Sequence, residues 1–158
     1  MQHGSRSIVV VGLATAFLAG CGGGDSGGSN DAGEVNCQND SRVVTYAPNL
    51  TVTSSGGATK YALVSSDPAP PAKGNDTWKL KVTNATSGQG MAGLNLTIQT
   101  LMPDHGHGSP TTPTITDDGA GNYTVTPLYL FMPGVWRIRF FPAAASTDTA
   151  DFLFCVQG

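Results

Sequence analysis

The chain has 158 residues, with 8 Lys and Arg against 11 Asp and Glu and a formal charge of −3. That length allows one domain with a substantial core, and the scatter of Arg42, Lys60, Lys73, Lys79, Lys81, Arg137 and Arg139 forms no basic stripe, which argues against nucleic acid or charge-driven adhesion to anionic lipid. Thr, Ser, Gly, Asn and Pro are plentiful and helix-forming stretches are missing after the first twenty residues, so an all-α fold is excluded.

Residues 1–20 read as a lipoprotein signal peptide. Arg6 lies in a short n-region, and residues 8–18 form an apolar run of about 11 residues, where a membrane-crossing helix needs about 20. Leu18-Ala19-Gly20-Cys21 then reads as a lipobox, with small residues before the bond to be cleaved. Cys21 is the predicted lipidation site, and two or three acyl chains there would anchor the chain to a membrane durably. An ordinary secretory signal followed by a chance cysteine is the alternative. Residues 21–36 are rich in Gly, Ser and Asp and read as a flexible tether. Gly22 stands where an aspartate retains enterobacterial lipoproteins in the inner membrane, so the expected destination is the outer membrane. Loss of residues 1–20 removes His3, leaving His105 and His107 as the only histidines.

Two cysteines remain, Cys37 and Cys155, near the ends of the expected domain at 37–158. An even pair outside the cytosol reads most simply as a disulfide. Closing so long a loop stabilises by about 4–5 kcal/mol in the chain-entropy model. A pair of thiolate metal ligands is the alternative.

The predicted strands, in chain order, are 43–46, 60–65, 77–83, 94–101, 112–116, 123–127, 136–141 and 152–156. Turn signals separate them at Gly56-Gly57, Asp67-Pro68, 84–90, Asp117-Asp118-Gly119 and 142–148. Alternation is clearest at Trp78, Leu80 and Val82, at Leu94, Leu96 and Ile98, and at Trp136, Ile138 and Phe140, with Arg137 and Arg139 facing the other way. Each such strand buries one face and wets the other. Seven or eight short strands at this spacing predict an all-β fold, an immunoglobulin-like β-sandwich.

One segment departs from this pattern: Met102-Pro103-Asp104-His105-Gly106-His107-Gly108. Both histidines sit here two residues apart. In extended backbone they share a face and could approach one ion. A second Met-Pro, Met132-Pro133-Gly134, precedes the Trp136 strand, and in a sandwich the two corners are expected at one end.

From Asp67 to Phe141 the chain resembles the YtkA-like domain, related to the FixH family of exported or membrane-anchored proteins. The matching residues are Gly90-Met91-Ala92-Gly93-Leu94, the segment 102–108, Pro110, Pro113, Gly119-Ala120-Gly121-Asn122-Tyr123 and Phe131-Met132-Pro133-Gly134-Val135-Trp136. The resemblance implies a small immunoglobulin-like sandwich outside the cytoplasm, often lipid-anchored, with no established enzymatic activity. Its FixH relatives accompany copper-handling pumps of terminal-oxidase assembly. Many relatives carry a histidine before the second Met-Pro-Gly and a methionine after the His-Gly pair. Phe131 and Ser109 stand there in this chain, two potential ligands fewer.

Two functions from different classes are open. In one, His105 and His107, with Met102 and Met132, bind copper, since thioether suits Cu(I) and imidazole suits either oxidation state. Asp104 would serve Cu(II) or zinc, although a closed structural zinc site wants four Cys or His ligands. In the other, the loop is structural and the domain is an envelope scaffold or protein-interaction module without metal. Catalysis is not expected: the expected domain at 37–158 contains no Gly-x-Ser-x-Gly elbow, and no Gly-rich phosphate loop supports nucleotide binding.

Overall fold

The computed structural model describes residues 36–158; the expected signal peptide, Cys21 and the tether up to residue 35 lie outside the described residues. Eight strands form two antiparallel sheets packed as a β-sandwich, as the alternation predicts. They are β1 (Leu50–Thr53), β2 (Thr59–Asp67), β3 (Gly74–Asn84), β4 (Leu96–Leu101), β5 (Thr114–Gly119), β6 (Asn122–Leu130), β7 (Gly134–Pro142) and β8 (Ala150–Val156). The five-stranded sheet runs β1-β2-β3-β6-β5 and the three-stranded sheet β4-β7-β8.

The inner faces supply the core. Trp78, Leu80 and Val82 of β3 and Tyr123 and Val125 of β6 meet Trp136, Ile138 and Phe140 of β7 and Phe152, Phe154 and Val156 of β8, all buried. Trp78 takes the edges of Phe152 and Phe154, with ring centroids 5.9 and 5.6 Å away and nearly perpendicular planes. Such pairs add about 0.5–1.5 kcal/mol to the burial of their area.

Five strands extend one to three residues beyond the expected bounds at one or both ends, and the other three differ in other ways. Residues 43–46 are not a strand: Val44 N–H donates to Leu153 O at 2.9 Å beside β8, and Tyr46 turns away so that its hydroxyl accepts Ser66 N–H at 3.1 Å. The first strand is instead Leu50–Thr53, a half-buried edge pairing with β2. β4 begins at Leu96 rather than 94, because Asn95 takes a positive φ of 46°. β5 runs from Thr114 through Asp117-Asp118, and the reversal falls at Gly119-Ala120-Gly121, all with positive φ.

Cys37 and Cys155 are joined in a disulfide across a sequence separation of 118, with Cα atoms 5.3 Å apart. Cys155 lies in β8 and pairs with Val135 of β7, so the bridge pins the segment that enters the domain onto the edge of the three-stranded sheet.

Candidate functional site

β4 ends at Leu101, and the chain immediately doubles back. Met102 N–H donates to His107 O at 2.7 Å, while Met102 O accepts from His105 N–H at 3.1 Å and Gly106 N–H at 2.9 Å. The segment is therefore a closed turn rather than the extended run in which residues i and i+2 share a face. Gly106 holds φ at 70°, a value that suits glycine. A Cβ at Gly108 would run into the carbonyl oxygen of Thr100, so both glycines of the motif are required by backbone shape.

The turn sorts the four predicted metal ligands into two groups. His105 and His107 are exposed, with ring centroids 5.6 Å apart. Two imidazoles sharing one ion at metal–nitrogen bonds of about 2 Å would place their centroids about 5–6 Å apart, a spacing that this pair matches. Met102, by contrast, is fully buried in the core, and Met132 is half-buried against it. Of these four, only the two imidazoles are exposed. Among the described residues, no group of three or more His, Cys, Asp or Glu side chains is placed to hold a metal ion.

The two Met-Pro corners do lie at one end of the sandwich. The His107 ring stacks on Phe131 with centroids 5.7 Å apart and planes 30° from parallel. Phe131 in turn meets Trp136 edge-on at 5.7 Å. Trp136 Nε1–H donates to Met132 O at 2.8 Å, so a core side chain fixes the second corner. The Phe131 phenyl ring is therefore in contact with His107.

One neighbour of the pair was not signalled by any local pattern. Arg42 donates from both terminal nitrogens to Asp104, Nη1 to Oδ1 at 2.7 Å and Nη2 to Oδ2 at 2.8 Å. It also binds Asp40 through Nε and Nη2. These hydrogen bonds hold the Asp40 carboxyl down at about 2 and lower that of Asp104 as well. Asp40, Asp104, His105, Cys37, Gly134 and Val135 are among the residues that line one open cleft of about 440 Å³.

A family model described as YtkA-like matches residues 56–141, more than half of the chain, and spans β2 to β7 together with both Met-Pro corners. Comparison with curated proteins and with solved structures finds no match. With the sandwich and its paired corners in place, the family match is decisive, and this chain belongs to the YtkA-like family.

Proposed function

We propose that this protein is a lipid-anchored, non-enzymatic module of the bacterial cell envelope, most simply the outer membrane, that presents His105 and His107 as a copper-binding corner. The disulfide between Cys37 and Cys155 supports the exported compartment, because such bonds persist outside the reducing cytosol. Anchorage would come from Cys21. A Cys21→Ser variant is then expected to leave the membrane fraction and appear in the soluble fraction.

The observation that carries the copper assignment is the exposed His105–His107 pair at 5.6 Å. Neutral imidazole is a ligand for either copper oxidation state, but Met102 lies in the core and brings no thioether to the surface. Two imidazoles without that thioether suit either oxidation state, and Cu(II) is the form to titrate. With two protein donors and open positions toward solvent, such a corner suits an ion that is received and passed on rather than locked in a closed site. Titration of the full chain with Cu(II) by calorimetry, beside His105→Ala/His107→Ala, tests it. Stoichiometric binding that the folded double variant loses is the expected result. No binding above the variant's background would remove copper from the function.

A second function is favoured by the packing of His107 on Phe131 and by its Nδ1, which lies 3.4 Å from Gly108 O. In that case the histidines complete a structural rim, and the domain is a protein-interaction module without metal. Failure of the copper titration would select it.

A further inference from the structure

The His105–His107 pair supplies half of a coordination shell. Zn(II) takes four ligands in a tetrahedral set, and Cu(II) is satisfied by four nitrogen donors in a tetragonal one. The pair offers two, and among the described residues no third His, Cys, Asp or Glu is placed to join them. Asp104, next in sequence, is already taken: both of its carboxylate oxygens accept from the Arg42 guanidinium, at 2.7 and 2.8 Å.

Three features suit the corner to completion from outside the chain. Both imidazoles are exposed on a turn that backbone hydrogen bonds between Met102 and His107 hold shut, so the pair is displayed without a segment having to be ordered first. Beside it, half-buried Phe131 packs on His107 and half-buried Tyr129 on Phe131, with ring centroids 5.7 and 5.9 Å apart. Aromatic rings are enriched where proteins meet. The third feature is charge. The Arg42, Asp40 and Asp104 cluster flanking His105 carries one positive charge against two negative. Two such corners repel one another as they stand, and a dication between them cancels the excess of both.

We infer that the corner is a half-site completed by a second copy of this chain, two His105–His107 pairs meeting across a two-fold axis to enclose one Zn(II) or Cu(II) ion in four imidazoles. The inference rests on the His pair being a metal site, and it names the partner that fills the remaining positions. A two-fold arrangement sets the same patch on both sides, so each chain gives the ligands and the aromatic rim that it receives. Chains without the ion stay apart, and the affinity for the ion rises with the concentration of chains. Anchorage at Cys21 would gather copies into one membrane and favour the pairing.

The test is calorimetric titration of the full chain in detergent with Zn(II) and with Cu(II), beside sedimentation of the same samples in density-matched detergent. Saturation is expected at one ion per two chains, with a doubling of protein mass that a chelator reverses. The half-saturating free-ion concentration is expected to fall about tenfold when the protein is concentrated tenfold, as mass action requires of two chains sharing one ion. The electron paramagnetic resonance spectrum of the Cu(II) form should carry the hyperfine pattern of four nitrogen donors. His105→Ala/His107→Ala, with thermal unfolding unchanged, is expected to lose both the ion and the doubling. One ion per chain with no change in mass, lost in the double variant, would overturn the shared site and leave the His pair a metal site within one chain. Binding that survives in the double variant would place the ion elsewhere and overturn both readings. Absence of binding in the parent would likewise remove both.

Discussion

The His107 imidazole lies on the Phe131 ring, 5.7 Å between centroids, at the point where the two Met-Pro corners of the sandwich meet. Phe131 is thus placed where a third imidazole could join the pair. Phe131→His is expected to tighten Cu(II) binding by roughly tenfold or more, because a third nitrogen donor replaces water. Phe131→Leu should not tighten it and should cost about 1 kcal/mol of stability through the lost ring contacts with His107 and Trp136. Chelator competition on the two variants checks the pair of outcomes; equal affinities would show that position 131 does not face the metal.

Met102 offers the opposite test. Its side chain is fully buried and belongs to the main core cluster. Met102→Leu is nearly volume-conserving and should cost less than about 1.5 kcal/mol, whereas Met102→Ala should cost about 2–5 kcal/mol. Copper affinity of Met102→Leu should match the parent. A large loss of affinity with little loss of stability would instead make the thioether a ligand reached by a rearranged loop.

The burial pattern was legible because it follows a period of two. Trp78, Leu80 and Val82, and Trp136, Ile138 and Phe140, alternate with polar neighbours, and all six are buried in the sandwich. The meeting of the two Met-Pro corners followed from the sandwich architecture. The shape of the His segment did not, because the fold closes Met102 to His107 by backbone hydrogen bonds that an alternation argument cannot see. Leu50 and Val52 carried a period-two signal too short to separate from the neighbouring turn, and 43–46 carried a stronger one that the fold leaves unpaired apart from Val44. Arg42 was invisible at the corner, since its partner Asp104 is 62 residues away and nothing local points to it.

The disulfide should dominate the response to reductant. It closes 118 residues of separation, and its removal in Cys37→Ser/Cys155→Ser is expected to cost about 3–5 kcal/mol. Protein isolated without reductant should show no free thiol at either position by mass spectrometry. Two alkylatable thiols at those positions would place the bridge, and the exported compartment it supports, in error.

Asp76 makes stability depend on pH in an unusual direction. Its carboxyl is buried on the inner face of β3, one oxygen taking a long 3.5 Å bond from Ala72 N–H and the other lacking a partner among the described residues. Burial, with the Asp67 charge as a smaller contributor, raises its pKa from 3.8 to about 7. Because the folded value lies above the unfolded one, the unfolded chain ionises first as pH rises. Stability is therefore full below about 3.8 and falls progressively until about 7, beyond which no more is lost. The total is bounded by about 4 kcal/mol. Urea unfolding from pH 4 to pH 8 should show this decline in the parent and lose it in Asp76→Asn, where no proton can be given up. Parallel curves for the two proteins would mean that the folded carboxyl ionises as easily as the unfolded one, through a buried partner that stabilises its charge.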